Sequence, residues 1–133
     1  MDKNWALSLI EALSNAPGVS GFEDEVTALL RRSAADLGEV SEDAMRNLYV
    51  KRPSGKTGLP VVQIDAHSDE IGFMVRAIRP NGTLDFITLG GWPAASIPSH
   101  RVLVRNREGV YIPGIVASKP PHYMNEAERK ALP

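Results

Sequence analysis

Apolar positions recur at helical spacing in the first third of the chain and at strand spacing beyond it. Ala6, Leu9, Ile10 and Leu13 share one helical face, and Pro17-Gly18 ends that run. A second helix is predicted from Ser20 onward. Ser20 stands three residues before Glu23, the arrangement in which a hydroxyl and a carboxylate cap each other's backbone N–H groups. Phe22, Val26, Leu29, Leu30, Ser33 and Leu37 then line one face, and Gly38 is placed to take a left-handed C-terminal turn.

After Gly38 the period changes. Asn47 to Arg52 predicts a short strand, and Pro53-Ser54-Gly55-Lys56-Thr57-Gly58 a loop. Val61-Val62-Gln63-Ile64-Asp65-Ala66 has the apolar character of a central strand buried on both faces, and it leads into His67-Ser68-Asp69-Glu70. From Ile71 to about Ser118 the pattern predicts β-structure. Ile71–Arg79 and Thr83–Leu89 flank Pro80-Asn81-Gly82, a hairpin turn in which Asn and Gly tolerate positive φ. Arg101–Asn106 and Val110–Val116 form a second pair of strands, and Asn125–Leu132 a short polar helix. The expected organisation is α/β with a border near residue 70. Residues 1–70 read as an unfinished α/β layer whose central strand lacks neighbours on one side, and residues 71–133 as an antiparallel β unit.

Composition narrows the partners. Fifteen Lys and Arg against sixteen Asp and Glu give a formal charge of −1, so the basic footprint of a nucleic-acid binder is missing. Aromatic residues are 6%, too few for a sheet that stacks bases. No apolar run approaches the roughly 20 residues that span a bilayer, and the first residues do not read as a signal peptide. The chain has no cysteine, which excludes disulfides, zinc-thiolate sites and thiol nucleophiles, and fits a cytoplasmic location. The charge is unevenly placed. Residues 1–70 hold 12 acids and 7 bases (−5), and residues 71–133 hold 4 acids and 8 bases (+4).

The candidate chemistry gathers at the carboxyl end of the predicted central strand, where open α/β sheets place ligands. In extended backbone His67 and Asp69 point to the same side, so an imidazole and a carboxylate can face one cavity as a metal-binding pair. The alternative is a polar surface turn. Glu70 reads either as a general base or as a solvated carboxylate. Asp65 reads as an orienting carboxylate or a strand-edge acid, and His100 and His122 as ligands or as ordinary hydrogen-bonded histidines. Lys119-Pro120-Pro121-His122 is a rigid extended segment or a linker. Gly90-Gly91-Trp92 is either a place of close backbone approach or a plain turn. Nucleophile-elbow, phosphate-loop and dinucleotide fingerprints are missing.

Four blocks taken together resemble the glutamyl aminopeptidase and tetrahedral aminopeptidase family of dinuclear metallopeptidases. They are Pro17-Gly18-Val19-Ser20-Gly21-Phe22-Glu23, Ala66-His67-Ser68-Asp69-Glu70-Ile71-Gly72-Phe73, Gly90-Gly91-Trp92, and Pro113-Gly114-Ile115-Val116 with Lys119-Pro120-Pro121-His122. The resemblance implies that residues 1–70 are the N-terminal part of a catalytic α/β domain. It implies that residues 71–133 are most of an inserted, antiparallel β-rich dimerisation domain. It further implies two divalent metal ions, zinc or cobalt, peptide substrates cut at their N-termini, and dimers that build towards dodecamers. His67 falls on a metal-ligand histidine of the family, and Asp69 on the catalytic-site aspartate that buttresses the metal site.

Departures from the pattern shape the expectation. One histidine and one aspartate cannot hold two metals, and the family supplies its bridging carboxylate, further ligands and glutamate base after the inserted domain. Arg46 stands where the family commonly has Gly, and His100 where it commonly has Gln. The expected function is therefore the N-terminal portion of a metal-dependent aminopeptidase, inactive as this piece. The alternative is a non-catalytic interaction or assembly protein that keeps the dimerisation surface. An endoglucanase reading ranks lower, because no distinctive pair of carboxylates is visible.

Overall fold

A computed structural model describes residues 2–130. The element order is α1 (Lys3–Asn15), α2 (Asp24–Ala34), β1 (Glu39–Glu42), β2 (Leu48–Lys51), β3 (Gly72–Ile78), β4 (Leu84–Leu89), β5 (Arg101–Arg105), β6 (Tyr111–Ile115) and α3 (Glu126–Lys130). One 3-10 turn, Ala94–Ser96, precedes β5, and another, Pro121–Tyr123, follows β6. The strands form three antiparallel hairpins, β1–β2, β3–β4 and β5–β6. The chain gathers into two compact units, one up to Gly90 and one from Gly91.

In the first unit, α1 starts on Asp2, whose carboxylate accepts the Asn4 N–H at 3.0 Å. It stops at Ala16, before Pro17. α2 is the better-anchored helix. It buries Val26, Thr27 and Ala34, carries Asp24 and Glu25 in its first turn and Arg31 and Arg32 in its last, and so complements its own dipole. Two expectations about this helix are corrected. The Ser20–Glu23 capping box does not form. Glu23 Oε1 accepts from the Gly21 N–H at 2.8 Å, while the Ser20 hydroxyl bonds to Asp69 instead. Gly38 does not take a left-handed turn, because the helix ends earlier, at Ala34. Glycine serves a different need there: a Cβ at position 38 would stand 2.4 Å from the Lys51 carbonyl oxygen, at the open end of the β1–β2 hairpin.

The β1–β2 hairpin was half legible, since the Asn47–Arg52 pattern marks β2 while β1 has no apolar alternation to announce it. Its turn is organised by Asp43. The Asp43 carboxylate accepts the Met45 and Asn47 backbone N–H groups, both at 2.9 Å, the Asn47 side-chain amide at 2.8 Å and the Tyr49 hydroxyl at 3.0 Å. Arg46 completes the turn at φ +70°, a conformation that costs a non-glycine residue about 1–2 kcal/mol. Its guanidinium, paired with Asp24 at 2.7 Å and Glu42 at 2.9 Å, ties the turn to the start of α2. Arginine therefore occupies the glycine-type position with its side chain paired to Asp24 and Glu42.

The β3–β4 hairpin matches its expected span. Gly72 pairs with Leu89 and Ile78 with Leu84, with a bulge between Val75 and Ala77. Phe73 and Phe86 pack at 4.6 Å between ring centroids. At the turn only Gly82 has positive φ. Asn81 contributes through its side chain, which accepts the Thr83 N–H at 3.1 Å and its hydroxyl at 2.8 Å. In the second unit β5 and β6 pair from Arg101–Ile115 to Arg105–Tyr111, again as expected. α3 covers the start of the predicted Asn125–Leu132 helix, and Leu132 lies outside the described residues.

The Val61–Ala66 strand is the main correction. These residues join no ladder, and Val61, Val62 and Ile64 are 95%, 81% and 94% exposed. A central strand exists only through its neighbours' hydrogen bonds, and no described strand pairs with this run. The surface area agrees. The chain exposes 11100 Å², whereas two separately closed bodies sharing 14.5 kDa at the Gly90 division would expose about 8,200 Å².

Asp43 yields a pH test. Hydrogen bonds from the Asn47 side chain first, then from the Asn47 backbone, Tyr49 and Met45, hold its carboxyl below the usual aspartate range. The turn's stabilisation is then fully present above about pH 3.9, the unfolded value, and is lost as pH falls through the lower folded value. We expect the Met45 and Asn47 amide resonances to report a midpoint below 3.9, and Asp43→Ala to abolish that transition and loosen the hairpin.

Candidate functional site

Two segments fifty-two residues apart meet beside α2. The first is the α1–α2 connection, Pro17-Gly18-Val19-Ser20. The second is the His67–Gly72 run that enters β3. Val19 and Glu70 form a parallel bridge, in which the Glu70 N–H donates to the Gly18 carbonyl at 2.7 Å. The Gly18 N–H returns a bond to Glu70 Oε1 at 3.1 Å.

Glycine is required on both sides of this contact. A Cβ on Gly18 would lie 2.8 Å from Val26 Cγ2 and 3.3 Å from the Ser68 carbonyl oxygen. One on Gly72 would lie 2.5 Å from Val19 Cγ2. Gly18, Gly72 and Val26 are all buried. The small buried core of the first unit thus lies against the backbone that carries His67 and Asp69.

On that base the expected pair does come together. His67 Nδ1 is 3.0 Å from the Asp69 carbonyl oxygen and 3.1 Å from Asp69 Oδ1. An ionised carboxylate and a carbonyl only accept, so Nδ1 carries the proton and the lone pair of a neutral ring is at Nε2. The His67 side chain is 86% exposed, which leaves Nε2 to the solvent. The other carboxylate oxygen of Asp69, Oδ2, accepts from the Ser20 hydroxyl. That hydroxyl, and secondly His67, hold the Asp69 carboxyl below the usual aspartate range.

An imidazole with one nitrogen fixed by a carboxylate and the other open is the form in which histidine binds metal. Among the described residues no third His, Asp or Glu joins the pair in a metal-binding group. The pair therefore fits one ligand position and its orienting partner, and the described residues do not make up a whole centre.

The remaining candidates have other surroundings. Glu70 uses its carboxylate to accept the Gly18 N–H, a structural bond for a residue read as a possible base. Asp65 is exposed in the unpaired run. In the second unit His100 packs edge-on against Trp92 at 5.5 Å, and His122 lies at 4.5 Å from Tyr123, between ring centroids. Gly90 is a place of close approach, since a Cβ there would meet Ile71 Cγ2 at 2.6 Å. Sequence reasoning missed Ser20, which it assigned to a helix cap. Within one sequence, nothing announces a bond between residues 20 and 69; only the joint presence of their two motifs points that way.

Comparison with known proteins places the chain in a family. Residues 46–133 match the M42 glutamyl aminopeptidase family. The glutamyl aminopeptidase of Lactococcus lactis subsp. cremoris is 33% identical over 116 residues, which are 86% of this chain and 33% of that protein. The crystal structure of a TET aminopeptidase from Thaumarchaeota archaeon SCGC AB-539-E09 superposes with a TM-score of 0.82 at 34% identity, covering 98% of this chain and 36% of that one. Pyrococcus horikoshii TET1 peptidase, described as assembling into a tetrahedron or a large octahedral shell, gives 0.75 at 26% identity over 96% of this chain and 37% of that one. The chain belongs to the M42 aminopeptidase family, a family of hydrolases, and it spans about a third of the length of the curated relatives it matches. Its mixed helix-and-strand fold matches about a third of the length of the TET aminopeptidase structures.

The glycine contact invites a test. Gly72→Ala must push Val19 away, and overpacking of this kind costs typically 1–3 kcal/mol. We expect the cross-peaks between Val19 and Glu70 to disappear from the NMR spectrum and the urea midpoint to fall, with the β5–β6 hairpin unaffected.

Proposed function

We propose that this chain is the N-terminal portion of a metal-dependent aminopeptidase that releases N-terminal residues from peptides. The observation that carries the reading is the open Nε2 of His67 with Asp69 fixed behind Nδ1, within a family of aminopeptidases. In this reading His67 is a ligand to one of two divalent ions, zinc or cobalt, and Asp69 sets the tautomer and direction of the ring. Such metals polarise the scissile carbonyl and lower the pKa of bound water. The chain's own share is to present Nε2 unprotonated and to hold the ring still.

The reading also takes residues 1–70 as part of the catalytic α/β domain and residues 71–133 as the greater part of an inserted dimerisation domain. A cysteine-free chain without a long apolar helix among its described residues supports a cytoplasmic location. The second reading, a non-catalytic assembly protein, draws on the incomplete donor set among the described residues.

Two outcomes are expected. The purified, mass-verified 133-residue chain releases no N-terminal residue from peptides with zinc or cobalt added, whereas a protein of family length carrying this segment does so, and loses the activity in His67→Ala. Metal-dependent release by the 133-residue chain alone would show that two metals find ligands without the rest of the domain. Retention of activity in the longer His67→Ala protein would remove His67 from the site.

Association is expected as well. The exposed Val61–Ile64 run and the apolar side chains left open on α1, including Ile10, are surfaces that pair with other chains. TET relatives assemble as dodecamers and shells. Sedimentation at tens of micromolar should show species larger than the 14.5 kDa monomer. A single monomeric species across a dilution series would overturn this.

A further inference from the structure

We infer that Ser20 is a positioning residue for the metal-facing histidine: its hydroxyl holds the Asp69 carboxylate so that the carboxylate, in turn, keeps His67 in the Nδ1–H form with Nε2 outward. This inference rests on the proposed reading of His67 as a ligand. It goes further by giving the α1–α2 connection a task in the chemistry.

The geometry carries it in three steps. Asp69 Oδ1 and Oδ2 are divided between two donors, His67 Nδ1 and Ser20 Oγ, so rotating the carboxylate to improve one bond would break the other. Ser20 is not a free side chain swinging into place. Its backbone directly follows Val19, whose bridge to Glu70 and contact with Gly72 fix the connection against the His67–Gly72 run. The hydroxyl also has no helix-capping duty, because α2 begins at Asp24 with Glu23 as its cap residue, and Glu23 reaches the Gly21 N–H. A side chain half covered, released from its expected role and bonded across 49 residues of sequence to the carboxylate behind His67 is placed for that carboxylate.

The Asp69 carbonyl oxygen also lies on Nδ1, at 3.0 Å, so losing Ser20 should weaken the preference for the Nδ1–H tautomer without erasing it. A change of about threefold in the tautomer ratio is the size expected for losing part of one hydrogen bond.

The test reads the ring itself, in the 133-residue chain without metal. Long-range 1H–15N spectra at a pH where His67 is neutral give the ratio of Nδ1–H to Nε2–H forms. The expected result is an Nδ1–H majority in the natural chain, a ratio lowered about threefold in Ser20→Ala, and restoration in Ser20→Thr, which keeps a hydroxyl. In Ser20→Ala the Val19–Glu70 cross-peaks should persist, which separates loss of the hydroxyl from loss of the docked turn. An unchanged ratio in Ser20→Ala overturns the inference. So does a change that appears only together with loss of the Val19–Glu70 cross-peaks, or one that Ser20→Thr fails to restore. Because no metal or substrate enters this measurement, its failure is distinct from failure of the aminopeptidase reading, which the longer His67→Ala protein tests.

Discussion

The first unit depends on the contact between the α1–α2 connection and the segment that enters β3. Closing a flexible loop of about fifty residues costs on the order of 3.5 kcal/mol beyond a constant. One or two backbone hydrogen bonds at about 1 kcal/mol each do not cover that. The remainder must come from apolar contact, and Val26, buried at 6% exposure, lies against Gly18. Burying such a side chain contributes about 1.5–3 kcal/mol. Glycine at 18 and 72 is what lets these backbones come close enough for the hydrogen bonds and the valines to act together.

The same contact is where structure becomes chemistry. The two residues that hold the segments together, Gly18 and Glu70, stand two residues and one residue away from Ser20 and Asp69, whose polar groups bond to each other. Rigidity in the backbone is thereby passed to a carboxylate, and from it to an imidazole. A surface His–Asp pair is ordinarily a weak and mobile interaction. Here the aspartate is held from behind, and the open nitrogen of the histidine is given one direction.

Outside this contact the chain has few means of closing on itself. Each sheet has two strands, and large apolar side chains stay open on α1 and along Leu59–Ile64. Two-stranded hairpins are marginal alone, and three or more strands with an apolar face are needed for independent stability. Local turn chemistry compensates where it can, with the Asp43 network and Arg46 in the first hairpin and Asn81 in the second. Such bonds define a turn's shape without supplying a core.

Sequence alone was enough for several elements whose cause is local, though not for β1, which has no apolar alternation, nor for the ends of α2. Helix α1, the Pro17-Gly18 stop, the β3–β4 turn at Pro80-Asn81-Gly82 and the β5–β6 pair all follow from periodicity and turn residues, because their hydrogen bonds close within a few residues. The candidacy of His67 and Asp69 was legible too, since alternate positions of an extended chain share a side. Tertiary structure decided what depends on distant partners. It took Ser20 from a helix cap to Asp69 and brought the Glu70 carboxylate to the Gly18 N–H. It also left Val61–Ala66 outside any sheet. A hydroxyl bonds to whichever acceptor the fold brings nearest, and an apolar run becomes a strand only when another backbone supplies the other half of its hydrogen bonds.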